Sequence, residues 1–165
     1  MHFEKVSLKQ FTEDVKAFYP WLEDDAIEVM WNNIKLPKRA TAGSAGYDFY
    51  SPISCSMSQG VPTMIPTGIR VKIDKGYFLM CVPRSGLGFK YGFALSNSTG
   101  IIDEDYFFAD NEGHIMAKVY CRPEHILRIS EGERFMQGIF LPYGVTDDDD
   151  TSEKRSGGFG STGTK

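Results

Sequence analysis

From Lys38 onward the chain runs in short apolar stretches separated by Gly, Pro, Ser and Asn, and no segment of helical period is long enough to interrupt them. Ile69-Arg70-Val71-Lys72-Ile73 alternates apolar and polar, Tyr77 to Val82 is continuously apolar, and Ile115 to Tyr120, Ile126 to Ile129 and Phe135 to Leu141 follow closely. Alternation puts every second side chain on one face of a pleated strand, and turn residues at this spacing reverse the chain before a crossover helix can form. The pattern predicts an all-β antiparallel fold: a sandwich, a jelly roll or a barrel.

The N-terminal 35 residues read differently. Ser7 followed by Gln10 has the form of a capping box, and Leu8, Phe11, Val15, Phe18 and Leu22 then recur at helical spacing until Pro20 stops the helix near Tyr19. Ile27, Met30, Trp31 and Ile34 suggest a second short helix or a turn. The expectation is a helical extension over residues 1–35 packed on the outside of a β domain over 36–146, followed over 147–165 by an acidic linker and a glycine-rich tail.

At 165 residues the chain has the size of one domain with a single core. A net charge of −4 and a pI near 5.4 argue against a nucleic-acid polymer or an anionic membrane as partner, because both need a concentrated basic face. A small anion needs only a few local cations. Cys55, Cys81 and Cys121 are far apart and sit in strand-like runs, so they read as buried thiols in a reducing compartment. MHFEKVSLKQ has no signal-like apolar region, and a cytoplasmic protein is expected.

Several familiar chemistries find no support. His2, His114 and His125 are not at metal-ligand spacing and C-x-x-C is absent, Ser85 is not in G-x-S-x-G, and there is no P-loop pattern. What breaks the strand pattern is a set of polar or glycine-rich stretches. SAGYDFYS places Asp48 after a glycine turn among aromatic residues, as a turn-former or a group held for a cation or water. PRSGLG combines the guanidinium of Arg84, the hydroxyl of Ser85 and the accessible backbone of Gly86, a grouping suited to phosphate.

SNSTGIIDEDYFFADNEGHIM sets Asn97, Ile101, Ile102, Asp103 and Tyr106 in a glycine-containing hairpin. A carboxamide both donates and accepts, as the edge of a pyrimidine requires, and an ionised Asp103 could act as general base toward water. EGERFMQGIF sets Arg134 and Gln137 into an apolar strand, where polar groups need partners. The tail, with Lys154, Arg155, four glycines within 157–163, Phe159, Ser161 and Thr162, has too little apolar surface to offset its ordering entropy. Its cations and hydroxyls suit a triphosphate, and Phe159 could stack on a base.

In this order and at these spacings, the five stretches resemble the five motifs of the homotrimeric dUTP diphosphatase (dUTPase) family, over residues 34–163. The resemblance implies a β jelly roll or distorted barrel, a homotrimer with sites at its subunit interfaces, and hydrolysis of magnesium-bound dUTP to dUMP and pyrophosphate. It implies that Asp48 holds the hydration shell of Mg2+, that Arg84, Ser85 and Gly86 bind phosphate with Ser85 near the cleaved bridge, and that Asn97, Gly100, Ile101, Ile102 and Met116 read uracil. Asp103 would activate the attacking water, Tyr106 would pack on the deoxyribose and exclude a 2′-hydroxyl, and Arg134 and Gln137 would position phosphate and water. Lys154, Arg155, Gly158, Phe159, Gly160, Ser161 and Thr162 would belong to a lid closing over the nucleotide.

Three departures accompany the resemblance. Lys154-Arg155 stands where Arg-Gly is usual, Met136 stands where a small residue is usual, and FFADNE is inserted between Tyr106 and Gly113, where it either reshapes the pocket rim or, the favoured reading, extends a surface turn. Two other functions compete: deamination of a cytosine nucleotide within the same fold, and a regulatory role in which the nucleotide site switches a surface for a protein partner, with the N-terminal helices as the surface.

Overall fold

The structure, a computed structural model, describes residues 1–58 and 60–152. Strand β1 (His2–Lys5) precedes helices α1 (Leu8–Phe18) and α2 (Asp24–Asn33). There follow β2 (Lys38–Arg39), β3 (Tyr47–Tyr50), β4 (Cys55–Ser58), β5 (Thr63–Lys72), β6 (Tyr77–Pro83), a short helix α3 (Ser85–Tyr91), β7 (Ala94–Leu95) and β8 (Gly100–Ile102). A 3-10 turn (Glu104–Phe108) leads to β9 (Ile115–Tyr120), β10 (Ile126–Ile129) and β11 (Arg134–Pro142). The strands form a four-stranded sheet ordered β1-β5-β9-β7, a five-stranded sheet ordered β2-β3-β11-β6-β8 and a two-stranded pair β10-β4. Every pairing is antiparallel, so the mostly-β reading with short helices holds.

The alternation in sequence is the alternation in space. On β9, Ile115, Ala117 and Val119 are buried while Lys118 between them is exposed. The core joins Phe49, Ile65, Leu79, Val119 and Phe135, all without accessible surface, and each such side chain contributes about 1.5–3 kcal/mol through burial.

The N-terminal helices form where their spacing places them, and they reach deep into the core: Phe11, Val15 and Ile27 are buried. Only half of the capping box closes. Ser7 Oγ accepts the Gln10 N–H at 3.1 Å, but the Ser7 N–H goes to Glu112 Oε2 at 2.7 Å and the Gln10 amide to Asp14 at 2.9 Å. Strand β1 was not foreseen, because four residues carry no readable period. It pairs with β5, bringing Phe3 within 5.6 Å of the Phe49 ring.

Strand β5 begins six residues before the Ile69 start that the alternation suggests. Pro66 and Gly68 look like breaks, yet the pairing with β9 absorbs them in a register shift between Pro66 and Ile69. Gly68 sits there at φ +70°, where a Cβ would collide with Ile34, so the backbone conformation and the close approach of the N-terminal segment both require glycine.

Three expectations need correction. SAGYDFYS contains strand β3, so Asp48 is a sheet residue. A helix, α3, does interrupt the strands; its seven residues include Gly86 and Gly88 and bury none of their side chains, so no apolar period could announce it. Cys55 is only half-buried, although Cys81 and Cys121 are buried and all three are free thiols. Among the described residues, no helix is long and apolar enough to cross a membrane.

The FFADNE insertion does more than extend a surface turn. Ala109 is buried, Arg70 lies 3.6 Å above the Phe107 ring, and Glu112 accepts both the N–H and the hydroxyl of Ser7 at 2.7 Å. Burial alone would raise the Glu112 pKa, but the two bonds from Ser7 and the nearby Arg70 hold it below 4.5. A carboxylate with a lowered folded-state pKa adds stability that is complete above its unfolded pKa and is lost as pH falls through the folded one. Thermal denaturation of the Glu112→Gln variant should therefore fall below wild type near neutrality, with the gap narrowing below pH 4.5; a gap constant with pH would remove the carboxylate's charge as its source.

Candidate active site

Asp48 is the centre of a charged group drawn from β3, β11 and the residue that caps α3. On β3 it faces Gln137 of β11 in register, and Gln137 faces Val82 of β6 on the other side. The Asp48 side chain is 10% exposed; Arg134 Nη1 donates to its Oδ2 at 2.9 Å and Arg84 Nε lies 3.4 Å from its Oδ1. Enclosed polar atoms need partners, and both oxygens of Asp48 have them. Arg84 also donates weakly to the Arg134 carbonyl at 3.4 Å, which ties its guanidinium to the β11 backbone, and both arginine side chains remain partly open to solvent.

Neighbouring glycines give this group its space. A Cβ on Gly46 would run into the Gln137 carboxamide oxygen, so the bare backbone before Tyr47 lets that side chain lie flat. A Cβ on Gly86 would meet no described atom within 4 Å, and nothing in the fold asks for glycine there. Close approach of a ligand to the backbone would. Ser85 is exposed at the start of α3, in a shallow recess with Arg84, Phe93 and Arg122. Arg122 is a cation that sequence reasoning missed, since CRPE carries no motif.

The donor set bears on the expected magnesium. No group of three or more His, Cys, Asp or Glu able to hold a metal occurs among the described residues, and both Asp48 oxygens face guanidiniums. Such a site does not suit a cation caged by protein alone. It fits one that arrives on a phosphate chain with most of its own ligands, as Mg2+ commonly does.

A second group surrounds a cavity of about 390 Å³. Asn97, Gly100, Ile101, Ile102 and Met116, all expected to act together, line it. Pairing explains the assembly: Gly100 of β8 lies opposite Cys81 of β6, and Met116 of β9 opposite Pro66 of β5. Met64, Cys81 and Met136 also line the cavity and were not foreseen as lining; Met136, the bulky residue beside Gln137, is 1% exposed and helps to fill the floor. Burial pushes the Cys81 thiol up to about 12, so it is a neutral wall and not a nucleophile.

Asp103 follows Ile102 directly and opens the 3-10 turn that carries Tyr106. Neither residue lines the cavity. Tyr106 is 4% exposed; its hydroxyl donates to the His114 carbonyl at 2.8 Å and accepts from Asn111 Nδ2 at 2.9 Å. Nor do Asp48, Arg84, Ser85, Arg134 or Gln137 line the cavity, so the two groups are separate in this chain. Lys154, Arg155, Gly158, Phe159, Gly160, Ser161 and Thr162 lie outside the described residues.

Known proteins show the same arrangement of sequence and fold. The dUTPase family model matches residues 32–163. A deoxyuridine 5'-triphosphate nucleotidohydrolase of Lactococcus lactis is 42% identical over 133 residues, covering 79% of this chain and 89% of its own. The crystal structure of dUTPase from Streptococcus mutans superposes with a TM-score of 0.65 at 30% identity, over 89% of this chain and 99% of that one. A mutant dUTPase of phage phi11 of S. aureus, whose structure describes a structural Mg(II) ion, shares the fold with a TM-score of 0.60 at 20% identity, over 73% of this chain and 92% of that one. With a family match spanning most of its length and relatives above 40% identity, the chain belongs to the dUTPase family.

Proposed function

We propose that the protein hydrolyses dUTP to dUMP and pyrophosphate, as a homotrimeric jelly roll in the cytoplasm whose sites form between subunits. The observation that carries this reading is the cavity lined at once by Asn97, Gly100, Ile101, Ile102 and Met116, in a chain whose relatives are named for that reaction. The Asn97 carboxamide and the backbone at Gly100 suit the polar edge of uracil, and the apolar walls exclude water from its faces. Tyr106 would set the wall beside the sugar. The separation of the cavity from the Asp48 group supports sites completed by a second copy, and the edge strand β8, with Ile101 52% exposed, offers the surface for it.

In the reaction, Asp103 takes a proton from water as the water oxygen bonds to the α-phosphorus, and the bridging bond to the β-phosphate breaks, releasing pyrophosphate. Arg84 and Arg134 stabilise charge on the phosphate oxygens, while Ser85 hydrogen-bonds near the departing bridge and Gln137 orients the water. Asp48 would hold, through water, the Mg2+ that arrives on the triphosphate, and the ion would supply further charge neutralisation. The segment from Lys154 to Thr162 closes over the nucleotide, with Phe159 on the base.

The deciding experiment is pyrophosphate release from dUTP, dCTP, dTTP and UTP, with and without magnesium, while the base absorbance is followed. Release confined to dUTP and dependent on magnesium supports the reading; a change in the cytosine spectrum of dCTP would replace it with deamination. Truncation after Asp150 should lower kcat/KM for dUTP by about 10²-fold through lost positioning, with thermal stability retained. A truncated protein at full rate would dismiss the lid.

A further inference from the structure

Tyr106 stands on weak local structure. Its 3-10 turn is a single short element with poor intrinsic hydrogen-bond geometry, so whatever holds the ring must come from elsewhere in the fold. The hydroxyl has one proton to give and is engaged in both senses: it donates to the His114 carbonyl at 2.8 Å and accepts from Asn111 at 2.9 Å. Asn111 lies in the inserted FFADNE segment, and His114 follows it directly after Gly113.

That segment is itself braced by the N-terminal extension. The His114 ring has no accessible surface. Its Nε2 accepts the Gly68 N–H at 2.8 Å, which leaves the proton on Nδ1, and Nδ1 donates to Asp14 Oδ2 of α1 at 2.5 Å. Gln10, on the same helix, donates to that same carboxylate oxygen and fixes it. One turn earlier, Ser7 binds Glu112 twice. On the other flank, Arg70 of β5 donates to the Phe107 carbonyl at 2.8 Å. The loop over residues 107–114 is thus fastened to α1, to its capping residue Ser7 and to β5, and the carbonyl that receives the Tyr106 hydroxyl moves only if these fastenings move.

A wall that selects by shape excludes an extra oxygen only if it cannot retreat. Close-packed interiors resist displacement because every neighbour would have to shift, whereas a ring held by its turn alone would yield by the fraction of an ångström that admits a 2′-hydroxyl. We propose that Asn111, His114 and Asp14 are positioning residues for Tyr106, so that the N-terminal helix and the inserted loop together set how sharply the enzyme separates deoxyribose from ribose. This rests on the reading above that Tyr106 packs against the sugar.

The test uses the full chain and measures kcat/KM for dUTP and UTP separately, well below the lowest melting temperature, for wild type and for Asp14→Ala, Asn111→Ala, Tyr106→Ala and the Asp14→Ala/Tyr106→Ala double variant. Asp14→Ala and Asn111→Ala should each lower the dUTP-to-UTP ratio about tenfold, mainly by raising activity on UTP. Asp14→Asn, which keeps an acceptor for Nδ1–H, should restore most of the ratio. In the double variant the loss should not exceed that of Tyr106→Ala alone, because both act through one ring. A merely structural brace would lower the melting temperature and leave the ratio untouched, and that result would overturn the proposal. If Tyr106→Ala shifts the ratio but Asp14→Ala and Asn111→Ala do not, the brace fails and the sugar wall stands. If Tyr106→Ala itself leaves the ratio unchanged, the sugar wall fails and the brace with it.

Discussion

Asp103→Asn should lower kcat for dUTP by about 10³-fold, the usual size of a general-base contribution, while nucleotide affinity changes little. The two side chains are nearly the same shape, but a carboxamide cannot take a proton from water. The backbone tolerates the change as well. Asp103 caps the 3-10 turn at φ −76° and ψ 160°, an extended conformation in which asparagine is as acceptable a cap as aspartate. Single-turnover kinetics with dUTP, beside calorimetric titration with a non-hydrolysable analogue, separates the two effects. An undiminished rate would remove Asp103 as the base, and lost affinity at an unchanged rate would make it a binding residue.

Gly113→Ala should be the most damaging small substitution near the site. Gly113 sits at φ +71°, and a Cβ there would lie 2.6 Å from the Tyr106 carbonyl oxygen and 2.8 Å from the Phe107 Cα. Left-handed backbone costs a side-chain-bearing residue about 1–2 kcal/mol, and overpacking against backbone that cannot rotate away adds about 1–3 kcal/mol. Against a total stability of roughly 5–15 kcal/mol, this should lower the melting temperature by about 5–15 °C. The colliding atoms belong to Tyr106 and its neighbour, so activity on dUTP should also fall in the fraction that still folds. Unchanged melting would mean that the loop relaxes more freely than its contacts with Ser7 and Arg70 suggest.

These two positions illustrate how unevenly the site could be read from residues alone. Asp103 announces itself within GIIDEDY, and Asn97, Gly100, Ile101, Ile102 and Met116 converge on one cavity as that stretch suggests. Met64 and Cys81 line the same cavity without any local mark, because they arrive on β5 and β6 through pairings with distant strands. Arg84 and Arg134 were read as phosphate ligands, and the fold additionally turns both toward Asp48, a partnership between residues on three different elements.

Patterning within a few residues was enough to recover the strands of β6, β9, β10 and β11 to within a residue or so, and both N-terminal helices, because burial on one face imposes a period that a short window contains. It was also enough to place the chemistry-bearing motifs in order. Strand β1, helix α3, the bulge at Gly68 and the fastening of the FFADNE loop to α1 had no such signature. Helix α3 buries none of its side chains, and the others depend on a partner far along the chain: β1 on β5, Gly68 on Ile34, Glu112 on Ser7 and His114 on Asp14. A period records what one segment buries, whereas these contacts record which segments meet, and that choice is made only when the whole core closes.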